Sequence, residues 1–252
     1  MKIINSKNTN LLIPDNRLLL SESSREDELN QCFNIDFWKD SHRVSGQSKG
    51  RNVTWFVEPQ SSKSQWVLRH YYRGGLISKM IDDQYLYLTL ERTRVYKEIC
   101  LLDKMIEMDL PVPKAIGGRV KRSKLFYQAD LIMEKLDAKD LVAHLNNAPL
   151  TEKIWRSIGH TIAKFHNCGI FHADLNAHNI MLNLNDEGNE TKVWIIDFDQ
   201  CELRLNSSSW KNNNMERLKR SFQKEKNKFS SFNYNDESWT ILKTAYLSEL
   251  SC

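Results

Sequence analysis

The sequence predicts an α+β protein of two unequal lobes that meet near residue 135. Strand patterns dominate between residues 44 and 133, whereas helical patterns dominate from residue 137 onward. One long helical segment interrupts the strands, and one pair of short strands interrupts the helices. Strands and helices that are segregated along the chain in this way are typical of α+β folds. We therefore assign residues 1–135 to an N-terminal lobe and residues 136–252 to a C-terminal lobe.

The N-terminal lobe is predicted to contain several strands and one long helix or two shorter ones. Residues Asn52–Val57 and Gln65–Tyr72 are rich in β-branched and aromatic side chains and are bounded by polar turns, as strands are. Apolar residues recur at helical spacing from Asp82 to Met108, and the prolines of the following DLPVPK segment cannot continue a helix. The other predicted elements are a short helix near Arg25–Cys32, a strand end at Val44–Ser45, and strands at Lys114–Arg119 and Leu125–Met133.

The C-terminal lobe is predicted to be mainly helical. Its clearest helix starts at Thr151 and Glu152 and ends before Gly169. Apolar side chains line one face of that helix: Ile154, Trp155, Ile158, Ile162 and Phe165. Two strand patterns follow, separated by the polar turn NDEGNE, and the chain from Trp210 to Leu250 is helical in pattern. The two strand patterns are Ile180–Leu184 and Lys192–Ile196.

Composition narrows the class of protein. The chain is 40% hydrophobic and 27% charged, as ordinary globular proteins are, and its net charge of +4 does not indicate a nucleic-acid partner. Its five cysteines include no CxxC pair, which argues against a disulfide framework and a structural zinc site and favours a reducing compartment. Because no run of about 18 apolar residues occurs and the polar PDNR segment interrupts the N-terminal apolar stretch, we expect a cytoplasmic location.

Four polar residues suggest the chemistry. His172, Asp174 and Asn179 lie in one short loop, FHADLNAHNI, and Asp197 begins the motif DFD at the end of a strand. A carboxylate can orient a substrate hydroxyl and accept its proton, and Asp and Asn oxygens are hard ligands suited to Mg²⁺. Phosphoryl transfer depends mainly on positioning and charge stabilisation. The spacing therefore predicts a phosphoryl-transfer centre.

The same segments resemble the catalytic and metal loops of the protein-kinase-like fold. HxDxxxxN is followed, 18 residues after Asn179, by a strand that ends in DFD. Within residues 40 to 205, the segments FHADLNAHNIML, WVLRHYYRGGL and WIIDFDQC are similar to the lipopolysaccharide kinases of Gram-negative bacteria. This resemblance implies a small β-rich N-terminal lobe and a larger helical C-terminal lobe. It also implies ATP and Mg²⁺ as cofactors, and the 4-hydroxyl of 3-deoxy-D-manno-octulosonic acid (Kdo) on a lipid A precursor as acceptor.

The resemblance also assigns roles in the catalytic and metal loops. Asp174 is the expected catalytic base, Asn179 and Asp197 are the expected metal ligands, and His172 is expected to brace the loop. The metal loop reads DFD instead of DFG, and no APE-like segment follows it. We therefore expect no regulated activation loop and no protein substrate.

A second set of residues is expected to hold the nucleotide. The segment GQSKGR is predicted to be a loop, Gly46–Arg51, that joins two strands of a hairpin, and it supplies glycines that allow close backbone approach to phosphates. Arg69 takes the place of the usual strand lysine, with Lys79 as an alternative, and Glu98 is expected to pair with that cation, with Glu91 as a rival. Residues near position 135 are expected to contact adenine through their backbone. The predicted nucleotide-binding residues are Gly46, Gly50, Arg51, Arg69, Glu98, Glu134 and Leu136.

Other interpretations stay open at this point. A kinase of the same fold could act on heptose or an aminoglycoside, and a nucleotide-binding pseudokinase could serve as a scaffold. A zinc hydrolase built on His166, His172 and His178 lacks a standard ligand spacing.

The segment MERLKRSFQKEKNKF, residues 215–229, holds six Lys or Arg against two Glu. It predicts either a solvated surface helix or a helix at the anionic inner-membrane surface. In the second case Leu218, Phe222 and Phe229 would face the lipid and the enzyme would be peripheral on the cytoplasmic side.

Overall fold

The structure, a computed structural model, describes residues 1–17, 26–49, 53–60, 64–72, 83–184 and 191–250. It forms two compact units: an N-terminal unit of Met1–Asp103 and Pro113–Leu136, and a C-terminal unit of Lys104–Val112 and Asp137–Cys252. The segment Lys104–Val112, which we assigned to the N-terminal lobe by sequence, belongs to the C-terminal unit. Within this unit, the carbonyl of Pro111 accepts a hydrogen bond from the amide of Ile195 (3.2 Å). Gly50, Arg51 and Lys79 lie outside the described residues.

An antiparallel sheet forms the centre of the N-terminal unit. Its strands are β1 (Lys2–Ser6), β2 (Thr9–Ile13), β3 (Val44–Lys49), β4 (Val53–Val57), β5 (Trp66–His70), β6 (Tyr85–Leu86), β7 (Ala115–Ser123) and β8 (Phe126–Glu134). They are ordered β1-β2-β7-β8-β5-β4-β3, and β6 pairs with β8 beside this path. The β1–β2 hairpin was not predicted. The deeply buried residues of this hairpin are Leu11, Leu12 and Ile13. They lie in β2, which pairs with β7, and no local sequence pattern reveals this pairing of distant segments.

Two helices belong to the N-terminal unit, α1 (Glu26–Gln31) and α2 (Ile35–Asp40). A third helix, α3 (Arg94–Glu107), belongs to this unit up to Asp103 and to the C-terminal unit from Lys104. The prediction of helix from Asp82 onward is wrong for its first part, because α3 begins only at Arg94. Tyr85 and Leu86 instead pair with Tyr127 and Phe126, the first two residues of β8. Backbone pairing with a sheet edge therefore overrides a helical spacing of apolar residues, as tertiary context often does.

The two faces of this sheet have different environments. Trp66 and Leu68 point to the face that packs on α1 and α2, where Trp38 and Trp66 meet edge to face at 6.1 Å. Because side chains alternate along a strand, Arg69 points to the opposite face, where α3 lies. A Cβ atom on Gly118 of β7 would lie 2.6 Å from Ile99 of α3, so glycine permits the close approach of this helix.

The C-terminal unit is mainly helical, as predicted. Its elements are β9 (Lys139–Asp140), α4 (Leu141–Asn147), α5 (Glu152–Asn167), β10 (Ile170–Phe171), β11 (Ile180–Leu184), β12 (Thr191–Ile195), β13 (Glu202–Leu203), α6 (Ser208–Lys228) and α7 (Asp236–Glu249). Strands β12, β11 and β9 form one antiparallel sheet, and β10 pairs with β13. The short β-sheet of β11 and β12 holds the two loops that carry the predicted chemistry.

Helix α6 packs its apolar residues into the protein core. Leu218 and Phe222 are both 0% exposed, and the ring of Phe222 stacks on Tyr234 at 4.6 Å. The hypothesis that these two side chains face lipid is therefore wrong. An apolar stripe at helical spacing can cover a core or a bilayer, and only the tertiary structure separates the two. No helix among the described residues is long and apolar enough to cross a membrane.

Candidate active site

In the N-terminal unit, the structure brings Arg69 of β5 and Glu98 of α3 together. Nη2 of Arg69 donates to both carboxylate oxygens of Glu98, at 2.7 and 2.6 Å. The hydroxyl of Tyr71 donates to Oε2 of Glu98 at 2.6 Å. Glu98 is only 2% exposed, and a buried carboxylate is tolerated when fixed donors satisfy it. Its rival Glu91 is exposed in the short 3-10 helix Leu90–Arg92.

This ion pair fixes the position of the Arg69 guanidinium. The group lies over the ring of Tyr71, 4.9 Å from its centroid, and its side chain is largely buried. A guanidinium has five N–H donors in one plane, so it can bind a carboxylate and a phosphate oxygen at the same time. Contact of Arg69 with a nucleotide stays a prediction.

Three other predicted nucleotide-binding residues, Gly46, Glu134 and Leu136, are among the described residues and lie in a strand or within two residues of a strand end. Gly46 is not in a loop, as the sequence suggested, but in β3, next to an irregularity in the pairing with β4. A Cβ on Gly46 would lie 3.3 Å from Phe56. The β3–β4 turn itself, at residues 50–52, lies outside the described residues. Glu134 ends β8, and Leu136 is the last residue of the N-terminal unit.

A cavity of about 630 Å³ lies on the other face of this sheet. Among the residues that line it are Phe37 of α2 and Trp55, His70 and Asp130 of the sheet. Although burial lowers the pKa of His70, its hydrogen bond to Asp130 (2.7 Å) and the nearby Asp83 raise that pKa overall. Of the predicted nucleotide-binding and metal residues that the structure describes, none lines this cavity, and Arg69 points away from it.

In the C-terminal unit, His172 connects the catalytic loop to the strand before Asp197. Its Nδ1 accepts a hydrogen bond from the amide of Asp174 (3.2 Å), and its Nε2 donates to the carbonyl of Ile196 (3.0 Å). Complete burial lowers the pKa of His172, so the ring stays neutral with its proton on Nε2. The side chain of Asn214 in α6 also bonds the amide and the carbonyl of His172, at 3.2 and 2.9 Å. These contacts make His172 a structural brace.

Asn179 links the same two segments. Its Nδ2 donates to the carbonyl of Asp174 (3.0 Å), and its own carbonyl accepts from the amide of Ile196 (3.0 Å). Because Nδ2 is used in this way, the side-chain oxygen is the atom of Asn179 that could bind a metal ion.

Asp197 has an unusual backbone conformation. Its φ of 65° lies in the left-handed region, which costs energy in residues other than glycine and is often found at functional sites. The next residue, Phe198, is buried, stacks on Phe165 at 5.9 Å and contacts the ring of His172 at 5.0 Å. This aromatic anchor holds the turn that carries Asp197.

The Asp174 side chain lies at the surface and is paired. Oδ1 accepts from Nη1 of Arg217 in α6 (2.9 Å), and Oδ2 accepts from Nδ2 of Asn176 (3.2 Å). The side chains of Asp174 and Arg217 are 61% and 48% exposed, so their ion pair contributes about 1 kcal/mol or less to stability.

The sequence did not single out Arg217 or Asn214. Arg217 is one of several cations in its segment, and nothing local distinguishes it. Asn214 carries a weak signal, since it lies one helical turn before Leu218 on the buried face of α6. A polar residue at such a position must have a buried partner.

The donor set suits magnesium bound together with a nucleotide. Asp197 and Asn179 supply hard oxygen ligands, and Mg²⁺ usually keeps several waters and uses one or two carboxylates plus phosphates. The described residues contain no group of three or more His, Cys, Asp or Glu side chains able to hold a metal ion.

The three histidines of the zinc-hydrolase interpretation have separate partners. Nδ1 of His166 bonds the hydroxyl of Tyr246 (2.8 Å), His172 braces the catalytic loop, and His178 lies near Asp140 (3.6 Å). They do not converge on one ion.

A family model and individual relatives of known name indicate the same family for this chain. Residues 35–246 match the lipopolysaccharide kinase (Kdo/WaaP) family. The chain is 41% identical to a 3-deoxy-D-manno-octulosonic acid kinase of Vibrio cholerae serotype O1 over 215 residues, which cover 85% of this chain and 88% of that protein. It is 40% identical to the protein of the same name from Haemophilus influenzae (strain 86-028NP) over 241 residues, which cover 92% and 97% of the two chains.

A solved structure agrees on the fold. A structure of WaaP in complex with acyl carrier protein matches with a TM-score of 0.59 and 11% identity, covering 98% of this chain and 89% of that chain. The predicted α+β, protein-kinase-like fold is thereby confirmed.

Proposed function

Because this chain belongs to the lipopolysaccharide kinase (Kdo/WaaP) family, we propose that it phosphorylates Kdo on a lipid A precursor with ATP, in lipopolysaccharide core biosynthesis. The enzyme class is that of a phosphotransferase with an alcohol group as acceptor. The observation that carries the choice of acceptor is about 40% identity with Kdo kinases across nearly the full length of both chains. As a finer proposal, the 4-hydroxyl of Kdo is the group that is phosphorylated.

Asp174 is the catalytic base in this proposal. It accepts the proton of the Kdo hydroxyl while the hydroxyl oxygen bonds to the γ-phosphorus, and the bond from that phosphorus to the β–γ bridging oxygen breaks to release ADP. The contacts of His172 and Asn179 with the Asp174 backbone support this role, because they fix the loop from which the carboxylate projects.

The remaining residues bind the nucleotide and its metal ion. Asp197 and the side-chain oxygen of Asn179 would hold Mg²⁺, which neutralises the charge of the triphosphate when bound. Arg69, held by Glu98, binds phosphate oxygens. Gly46, Gly50 and Arg51 cover the phosphates, and backbone groups of Glu134 and Leu136 contact adenine.

We also propose that the enzyme acts at the cytoplasmic face of the inner membrane of a Gram-negative cell, where ATP and the lipid-anchored acceptor are both present. The exposed cations Lys224 and Lys226 of α6 support contact with anionic headgroups. The buried Leu218 and Phe222 take no part in this contact.

An acceptor comparison tests the proposal. ADP release in the presence of Mg²⁺ is measured with a Kdo-lipid A precursor, with a heptose acceptor, with an aminoglycoside and with no acceptor. We expect release that depends on the Kdo substrate. Turnover only with another acceptor would assign a different small-molecule kinase, and ATP binding without any turnover would indicate a pseudokinase scaffold.

A further inference from the structure

Both carboxylate oxygens of the proposed base already carry a hydrogen bond. Arg217 donates to Oδ1 of Asp174, and Asn176 donates to Oδ2. Asn176 belongs to the catalytic loop itself, whereas Arg217 comes from α6, 43 residues further along the chain. A cation from a distant helix therefore lies beside the atom that must receive the acceptor hydroxyl.

The position of Arg217 is fixed by the backbone of α6. Asn214, three residues before it, bonds both backbone groups of His172. Ser221, four residues after it, accepts a hydrogen bond from the amide of Ala177 (3.0 Å). Residues at this spacing share one edge of a helix, so the edge of α6 that carries Arg217 is held against the catalytic loop on both sides.

The ion pair itself is easily exchanged. Both side chains are about half exposed, and exposed pairs of this kind contribute little to stability. An arriving anion can therefore take over the N–H donors of Arg217 at small cost. That exchange would also free Oδ1 of Asp174 to accept a proton.

We propose that Arg217 binds the carboxylate of the acceptor sugar. This inference rests on the proposed function, since Kdo is a sugar acid and carries a negative charge at neutral pH. Its carboxyl group and its 4-hydroxyl are separated only by the anomeric carbon and the 3-deoxy carbon. A guanidinium binds a carboxylate through two parallel N–H···O bonds. With its carboxylate on Arg217, the sugar presents the neighbouring hydroxyl to Asp174.

This arrangement makes Arg217 a specificity-determining residue. A neutral sugar such as heptose offers no anion to replace Asp174 in the ion pair, so Arg217 would stay on the base and keep Oδ1 occupied. An anionic acceptor both engages the guanidinium and releases the base. The carboxylate of Kdo would thus be required for efficient transfer, not merely tolerated.

The test compares two acceptors, a water-soluble Kdo glycoside and its C1 methyl ester, which differ by one methyl group and by the negative charge that the ester lacks. kcat/KM is measured by ADP release at saturating MgATP for the wild type, Arg217→Ala, Arg217→Lys and Arg220→Ala. Arg220 is a matched control, an exposed arginine one helical turn further along α6. The KM for ATP of each variant reports whether the nucleotide site is intact.

We expect the wild type to prefer the acid over the ester by about 10- to 100-fold, the range for a charge-assisted hydrogen-bonded pair. In Arg217→Ala the ratio of the two kcat/KM values falls to about one. Arg217→Lys regains part of the preference, because it restores the charge without the planar fork. Arg220→Ala keeps the wild-type ratio, and the KM for ATP stays unchanged throughout.

Two results would overturn the inference in different ways. If Arg217→Ala lowers both kcat/KM values equally and keeps their ratio, Arg217 only positions Asp174 and does not bind the acceptor. If the wild type shows no Kdo-dependent ADP release with either acceptor or with the lipid-linked substrate, the proposed function fails and this inference fails with it.

Discussion

Two carboxylates of this kinase lie in contrasting surroundings. Glu98 is buried where α3 faces β5, and Arg69 and Tyr71 supply it with fixed donors. Asp174 lies at the surface, its partner Arg217 is exposed as well, and its other partner Asn176 is partly buried. A positioning carboxylate needs permanent partners, whereas a catalytic base must be reached by the acceptor, so each environment suits the proposed role.

At the residue scale, Asp174→Asn should lower kcat by at least about 100-fold, because an amide cannot accept the hydroxyl proton. The KM for ATP should change little. Kdo-dependent ADP release measures the first effect, and titration with a fluorescent ATP analogue measures nucleotide binding. Asp36→Asn, which alters an exposed carboxylate of α2 near Lys39, is the control. A variant at Asp174 that keeps most of the wild-type rate removes this residue from the mechanism.

Glu98→Gln tests the ion pair in the N-terminal unit. The substitution removes the charge that balances Arg69, so we expect a loss of about 1–3 kcal/mol in the free energy of unfolding and a rise of about tenfold in the KM for ATP. Urea denaturation and ADP-release kinetics measure the two effects. Glu91→Gln, on the exposed rival, should leave both unchanged. Equal effects of the two variants would refute the role of Glu98.

At the scale of elements, a glycine allows α5 and α7 of the C-terminal unit to pack closely against each other. A Cβ on Gly159 would lie 2.3 Å from the carbonyl oxygen of Leu242 and 2.9 Å from the amide of Tyr246. Both are backbone atoms of α7, so they cannot move aside without a shift of the helix. Glycine at this position sets the distance between the two helices.

Gly159→Ala should therefore destabilise the protein by about 1–3 kcal/mol, although alanine is normally the better helix former. Urea denaturation gives the free energy of unfolding. Ser157→Ala, on the same helix with its hydroxyl bonded to the carbonyl of Lys153, serves as the control and should stay close to the wild type. An alanine variant at 159 as stable as the wild type would show that the helices can separate freely.

At the scale of the whole molecule, pH should change the stability of the fold through a buried histidine. Burial lowers the pKa of His166 to about 3, and its ring packs between Trp210 and Tyr246. In the unfolded chain this histidine has its ordinary pKa of 6.5. Between pH 3 and pH 6.5, the unfolded state therefore holds more protons than the folded state. The contribution of neutral His166 to the free energy of unfolding is therefore fully present above pH 6.5 and is lost as the pH falls below this value.

This difference corresponds to a loss of about 2 kcal/mol in the free energy of unfolding between neutral pH and pH 5. His172, with a lowered pKa, acts in the same direction, whereas His70 and His178, with raised pKa values, act in the opposite one. Urea denaturation of the wild type and His166→Gln at pH 5, 6 and 7 measures the effect of His166. The variant should lose less stability on acidification, and an identical loss in both proteins would contradict the prediction.

Some features of this protein follow from local sequence alone. The periodic helix α5 and the strands β11 and β12 match their predicted ranges within one residue at either end, because a repeat of 3.6 or 2 residues is a local property. The family could also be recognised in this way, since the loop with Asp174 and Asn179 and the DFD motif at Asp197 are short, ordered patterns. Their roles toward ATP and Mg²⁺ stay predictions.

Other features depended on packing between distant parts of the chain. Whether Glu98 or Glu91 would meet Arg69 depended on where the helix begins, because Glu91 lies in the 3-10 helix before α3 and Glu98 lies within α3. The pairing of Tyr85 with Tyr127 replaced a predicted helix turn. The contact between Arg217 and Asp174 spans 43 residues and has no local signature. Residue type and spacing specify which chemistry a loop can perform. Only the tertiary structure decides which charged side chain from elsewhere lies beside it, because that depends on how helices and strands pack together.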